Sequence, residues 1–391
     1  MMNQAVLSLD NMGRRGSLNV LLVEPQKSRE YHTPYPPLGL LKLAAYHRQR
    51  GDLARLVNGI SPDGFEPNVI YITSLFTYAW EPVHEVIKFY STRYARARVI
   101  VGGIYASLCS DHLEESFGNR IEIHKGLIPE IDELLPDYSL VPEWRASILF
   151  SSRGCIRRCR FCSVPKLEPK FEPRKSIRHL LYPGHNKVIL WDNNMLASPY
   201  WRNIFDELEE SRLAIDFNQG LDARLLTEEV ATSLRRLKLP IIRLAYDSKG
   251  IREPLRKAIT LLKSLGIDGR NILVYCLFNH YLDSPEDFFE RIQDLLSWGV
   301  VSYPMRYQAL EPGPKDWYIS PNWTKRQVEM VARARRVIGY GGAFPPYEGL
   351  KRKILAAANF EKAFELRPTK CHTETADSVF LMPDLNEMAK M

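Results

Sequence analysis

No stretch of this 391-residue chain approaches 18 consecutive apolar residues, which excludes a conventional membrane-spanning helix. The N-terminus, MMNQAVLSLDNMGRRG, lacks the apolar core and small-residue cleavage site of a secretory leader. These two absences predict a cytoplasmic protein with no membrane partner. Cysteine is scarce, at six residues. In a reducing compartment so few cysteines do not build a disulfide framework, and any that cluster read as metal ligands or catalysts. Low-complexity tails, a helix-turn-helix pattern and an aromatic RNA-binding signature are also missing. The excess of 53 Lys+Arg over 46 Asp+Glu gives a net charge of +7. That charge suits an acidic or nucleic-acid partner, but a plain solvated basic surface accounts for it as well.

What the chain does have is an alternation of apolar runs and amphipathic segments. LNVLLVEP (18–25) and NVIYITSL (68–75) read as buried strands and RVIVGGIYAS (98–107) as a strand entering a glycine turn, with helices at 36–51 and 81–95 between them. Near-continuous Val/Ile/Leu strands alternating with helices predict a parallel sheet covered on both faces. The Pro-rich stretch 126–146 reads as a linker. A second run of strands follows at 147–152, 187–192, 214–220, 240–246, 271–277 and 304–310, with helices at 252–266 and 284–299. Six such strands suffice for an open, partial (β/α)6 barrel. The expected organisation is an extension over 1–17, a parallel α/β domain over 18–125, the linker 126–146, the partial barrel over 147–345 and a C-terminal extension over 346–391. The stretch 347–366 reads as a helix and is a candidate cap over the open side of the barrel.

Three of the six cysteines stand in SSRGCIRRCRFCSVP (151–165), at positions 155, 159 and 162. They follow the first strand of the second run, at the end where barrel active sites form. A structural zinc site takes four protein ligands, and no second C-x2-C pair is present. A [4Fe–4S] cluster normally takes four thiolates, so three leave one iron open to a substrate.

This C-x3-C-x2-C pattern, with Phe161 before the last cysteine, SSRG ahead of it and SVP behind, resembles the radical S-adenosylmethionine (radical SAM) superfamily over about residues 145–345. The resemblance implies that Cys155, Cys159 and Cys162 hold a [4Fe–4S] cluster and that S-adenosylmethionine binds its open iron. It further implies reductive cleavage to a 5′-deoxyadenosyl radical and a flavodoxin or ferredoxin as electron donor. It assigns cofactor contacts to the strand-end rims: Asp192, Asn193 and Asn194 for the methionine ammonium, and Gln219, Asp222, Arg224, Asp247 and Ser248 for the ribose hydroxyls and methionine carboxylate. Arg153, Arg157, Arg158 and Arg160 would favour the reduced cluster and receive an acidic donor, with at least one of them expected in a salt bridge to Glu168 or Glu172.

The N-terminal domain is similar to the flavodoxin-like cobalamin-binding domain of one radical SAM branch, through TPYPPLGLLKLAAYHRQRG, Ser74 and Gly102-Gly103. The Asp-x-His motif that ligates cobalt elsewhere is absent; EPQKSREYH stands in its place, with His32 the nearest histidine. Members of that branch can hold cobalamin without a protein ligand, so the resemblance makes cobalamin-assisted methylation of an unactivated carbon the leading expectation. A lyase, rearrangement or ring-modifying reaction without cobalamin is the alternative, and a zinc-bearing nucleic-acid adaptor the remote one. Only Cys109 lies in the N-terminal domain, which sets the methylthiotransferases and their second cluster aside. The substrate, whether small molecule, peptide or nucleic acid, is not legible. Cys371-His372 lack companion ligands and read as tail.

Overall fold

The computed structural model describes residues 16–25, 33–61 and 64–366; His32, Cys371, His372 and nearly all of the 1–17 extension lie outside them. The described chain is α/β with parallel sheets. It divides into two compact units: one runs to Ile242 and takes back Gln308–Tyr318, the other holds Arg243–Tyr307 and the residues from Ile319 on.

The first unit opens with β1 (Asn19–Glu24), α1 (Leu38–Gln49), β2 (Leu53–Asn58), β3 (Val69–Ser74), α2 (Trp80–Arg93), β4 (Arg98–Gly103), α3 (Ile104–Leu108), α4 (Ser110–Phe117) and β5 (Glu122–Ile123). These strands form one sheet in the order β2-β1-β3-β4-β5, with every neighbour parallel. Both faces are covered, which is why the central strands read as unbroken apolar runs. Val20, Leu22 and Tyr71 pack with Leu40, Leu43 and Ala44 of α1; Leu21, Ile70, Ile72 and Val101 pack with Val83, Ile87 and Tyr90 of α2. Each such side chain contributes about 1.5–3 kcal/mol on burial. Sequence reasoning passed over β2 because it is an edge strand whose Leu53 and Arg55 face solvent. The glycine turn expected within 98–107 is present. Gly103, at φ +109°, breaks the strand and starts α3, and an added Cβ there would lie 2.3 Å from the Ser74 carbonyl oxygen.

That geometry separates the two adjacent glycines. A Cβ on Gly102 would meet only His124, its Cβ at 3.8 Å and its carbonyl oxygen at 4.0 Å, both ordinary contacts. Gly102→Ala should therefore leave the melting temperature unchanged or slightly raised. Gly103→Ala should cost at least the roughly 1–3 kcal/mol of a strained backbone position. Thermal unfolding of the pair checks this; equal effects would contradict it.

The stretch 126–146, expected to be a linker, contains α5 (Pro129–Asp132) and packs Ile131 into the core of the first sheet. It leads to β6 (Ala146–Leu149), β7 (Ser152–Arg153), α6 (Val164–Leu167), β8 (Glu172–Pro173), β9 (Lys187–Leu190), α7 (Trp201–Ser211), β10 (Ala214–Phe217) and α8 (Glu228–Arg236). A parallel sheet forms in the order β10-β9-β6, and β7 and β8 make a short antiparallel ribbon.

The second unit continues with β11 (Ile242–Ala245), α9 (Arg252–Ser264), β12 (Ile272–Phe278), α10 (Pro285–Ser297), β13 (Val301–Arg306), α11 (Lys325–Val337), α12 (Glu348–Leu355) and α13 (Phe360–Phe364). Its sheet has the order β11-β12-β13. All six strands expected of the second run are present, but they pair as two three-stranded sheets. The free edge of β10 is taken by Lys238, whose carbonyl accepts the Ile215 N–H at 2.9 Å. Helix α10 is capped by Ser284, whose Oγ accepts the Asp287 N–H at 3.1 Å. The helix expected over 347–366 is broken: Asn359 caps a new helix by accepting the Lys362 N–H at 3.0 Å. Phe360 and Phe364 of this segment pack against Trp323 and Phe288. The extension, as far as residue 366, is thus core of the second unit rather than a cap over an open side.

Candidate functional site

The three cysteines lie on the loop 154–171, which the β7/β8 ribbon closes. Gly154 starts the loop at φ +69°, where a Cβ would fall 2.0 Å from the Lys170 carbonyl oxygen, so the two legs touch through a glycine. Its N–H donates to Glu168 Oε2 at 2.6 Å. Glu168 also accepts from Arg153 (3.3 Å) and Asn193 (3.4 Å). Arg153 lies 3.5 Å over the Phe150 ring and reaches back to Asp132 of α5 through Nε at 3.0 Å. Asp132 is a charge hub. It pairs with Arg153, Arg174 and Lys42, the last from α1.

The register of β6 on β9, Leu149 opposite Leu190, carries on past the strand ends and sets Ser151 beside Asp192. Asp192 accepts the Ser151 N–H (2.9 Å) and the hydroxyls of Ser151 and Ser152 (both 2.7 Å). It is 3 % exposed, and burial pushes its carboxyl up against those hydrogen bonds. The residue assigned to a ligand from sequence therefore braces the start of the cysteine loop.

Asn194, also 3 % exposed, faces the sulfur. Its amide nitrogen lies 3.7 Å from Cys155 Sγ and donates to Asp222 Oδ2 at 3.2 Å, while its Oδ1 is buried without a hydrogen-bond partner. Asp222 collects Arg157 Nε (2.9 Å) and Arg224 Nε (2.7 Å). Burial alone would raise Asp222; the Arg224 and Arg157 guanidiniums outweigh it and hold the carboxyl below its ordinary range. The Arg157 N–H points to Cys155 Sγ (3.3 Å) and the Val164 N–H to Cys162 Sγ (3.5 Å). Phe161 and the three cysteines are half-buried, and Arg158, Arg160 and Gln219 are exposed.

The structure thus joins Cys155, Asn194, Asp222, Arg157 and Arg224 in one network, with Asn193 tied to Glu168 beside it. Of the four arginines, Arg153 forms the expected salt bridge to Glu168. Asp247 and Ser248 belong to the second unit, after β11. Asp247 accepts the Leu277 N–H at 3.0 Å and is raised by burial; Ser248 is exposed. Sequence reasoning missed Asp132, Lys42 and Arg174 entirely. Among the described residues no other thiol joins the site: Cys109 and Cys276 are buried elsewhere, Cys109 donating to the Leu310 carbonyl and Cys276 accepting from Arg291.

The donor chemistry fits an iron–sulfur cluster: three thiols on one loop, N–H groups aimed at two of the sulfurs, guanidinium charge nearby and a buried amide oxygen awaiting a donor. Among the described residues no group of three His, Cys, Asp or Glu side chains is arranged to hold a metal ion.

The residues proposed for cobalamin fit less well. Ser74 Oγ donates to the Gly102 carbonyl (2.8 Å) and accepts the Ala106 N–H (3.0 Å). It ties β3 to the β4–α3 turn, and Gly103 is required by the same close approach. Beyond these positions, Thr77 Oγ1 donates to the Ala309 carbonyl (2.9 Å) and the Cys109 thiol to the Leu310 carbonyl (3.2 Å). Only Gly102, of the three residues, keeps room a ligand could use. The set does not form the open cradle a corrin requires. Among the described residues no helix is long and apolar enough to cross a membrane. A search of protein-family models and of curated proteins finds no match to this chain.

Proposed function

We propose that the chain is a radical SAM enzyme, in which Cys155, Cys159 and Cys162 hold a [4Fe–4S] cluster with one iron open to S-adenosylmethionine. When bound, the cluster supplies the electron that splits a carbon–sulfur bond of S-adenosylmethionine, giving the radical that takes a hydrogen atom from an unactivated carbon. The observation that carries this reading is Asn194: a buried amide beside Cys155 whose oxygen has no partner. A buried acceptor left unmade costs about 1–3 kcal/mol, which a donor on a bound ligand would recover. The methionine ammonium is such a donor. Arg157 and Arg224, gathered on the single carboxylate of Asp222, leave net positive charge for the methionine carboxylate. Asn193 and Gln219 are the remaining polar groups of this unit proposed for the ribose. Arg158 and Arg160, exposed on the cysteine loop, offer a positive face to flavodoxin or ferredoxin.

The strand order β2-β1-β3-β4-β5 is the doubly wound order of flavodoxin-like domains and supports that reading of the first sheet. The short parallel β10-β9-β6 sheet is an element a partial radical SAM barrel would use, and β12 and β13 of the second unit also pair in parallel. Because the Ser74–Gly103 region does not fit a corrin, no step is routed through cobalamin. A lyase, rearrangement or ring-modifying reaction is the reading retained.

Anaerobic reconstitution with iron and sulfide, followed by reduction in the presence of S-adenosylmethionine, tests the proposal. The parent chain should form 5′-deoxyadenosine, and each of Cys155→Ala, Cys159→Ala and Cys162→Ala should abolish it. A single variant with normal product and a full iron complement would overturn the assignment.

A further inference from the structure

Past β13 the chain does not stay with its own unit. Tyr307 still donates its N–H to the Phe278 carbonyl (2.9 Å), but from Gln308 to Tyr318 the chain belongs to the first unit. The segment, QALEPGPKDWY, closes on itself. Gln308 and Asp316 exchange two hydrogen bonds, Nε2 to Oδ1 at 2.6 Å and N–H to Oε1 at 3.1 Å. Pro312 and Pro314 stiffen it, and Trp317 lies so close to Gly313 that a Cβ there would meet its indole nitrogen at 2.3 Å.

This preformed loop meets the loops that follow β3 and β4. The carbonyls of Ala309 and Leu310 accept from Thr77 and Cys109, and Ala309, Thr77 and Cys109 are all less than a tenth exposed. Lys315 Nζ stands 5.8 Å from the Tyr78 ring, which is stacked on Phe76 at 4.8 Å. Carboxyl ends of parallel strands are where such sheets bind ligands. Here two consecutive backbone carbonyls of the chain itself fill that role, and each would lose a buried partner if the segment lifted.

We infer that the carboxyl edge of the first sheet is a dock for the chain's own segment Gln308–Tyr318, and that this segment replaces a corrin there. The small residues Ser74 and Gly103 then serve the turn that presents Thr77 and Cys109 to the segment. The first sheet acts as a clamp on the chain leaving β13, not as a cofactor domain.

Two measurements test the inference. The full reconstituted chain is incubated with hydroxocobalamin and desalted. Less than about a tenth of an equivalent of corrin should remain, and retention near one equivalent would overturn the proposal. In the Thr77→Val, Cys109→Ala double variant, tryptic cleavage after Lys315 should rise severalfold; an unchanged rate would count against docking. Iron content and 5′-deoxyadenosine, read in the same samples, report separately on the proposed reaction, so either idea can fail alone.

Discussion

Asp132→Asn should lower the unfolding free energy by about 3–5 kcal/mol, the range for removing one partner of a buried ion pair. Asp132 is the carboxylate on which Arg153, Arg174 and Lys42 converge, and none of those three cations is more than 11 % exposed. Burial alone would raise its carboxyl, but Arg153, Arg174 and Lys42 together hold it below the ordinary range. Burial has already pushed Lys42 down to about 8, so the hub tolerates little further loss of negative charge. The sign with pH follows. A depressed carboxylate contributes stability that is fully present above its ordinary value of about 3.9 and is lost as pH falls through the folded value. The gap between parent and variant should therefore be full at pH 7 and close on acidification below about pH 4. Arg153 passes the effect on to Glu168 and Gly154, so the three thiols of the metal-free variant should also alkylate faster. Denaturant unfolding at the two pH values and thiol-labelling rates check this, with Asp132→Glu expected to restore much of both. Parent-like stability in Asp132→Asn would show that the hub is not what fixes the loop.

The alternation of strands and helices was readable because buried parallel strands are apolar on both faces, as Val20–Val23 and Val69–Ile72 are. The edge strand β2 was not, since an alternating, half-exposed stretch resembles a loop. The cysteine loop was legible from spacing alone. Its support was not: Asp132 meets partners 21, 42 and 90 positions away in sequence, and no periodicity encodes such a meeting. The role of Asp192 lies between these cases. Once β6 and β9 are paired with Leu149 opposite Leu190, Ser151 falls opposite Asp192. The serines of SSRG then claim the carboxylate that motif reasoning assigned to a ligand. Ser74 and Gly103 teach the same lesson, for small residues at a strand end can serve a tight turn as readily as a ligand.

Asn194→Leu should raise or preserve stability while lowering 5′-deoxyadenosine formation roughly 10²-fold, about 2.7 kcal/mol of lost transition-state stabilisation. The two effects point in opposite directions for a physical reason. In the protein alone Oδ1 of Asn194 is buried and unpartnered, and replacing such a group by an apolar side chain of similar size removes a penalty. The amide nitrogen does donate to Asp222, but Asp222 keeps Arg157, Arg224 and the Arg224 N–H, so its charge stays compensated. A residue serving only the fold would lose stability and activity together. A residue held in place for a ligand loses activity alone. Asn194→Asp is the control: it keeps an acceptor toward an ammonium and should retain more product than Asn194→Leu, although its added charge beside Cys155 should make the cluster harder to reduce. Thermal unfolding and product formation, measured on the same reconstituted samples, decide the matter. If Asn194→Leu unfolds several degrees lower than the parent, the amide is a structural bridge between Cys155 and Asp222, and the ammonium must be sought elsewhere.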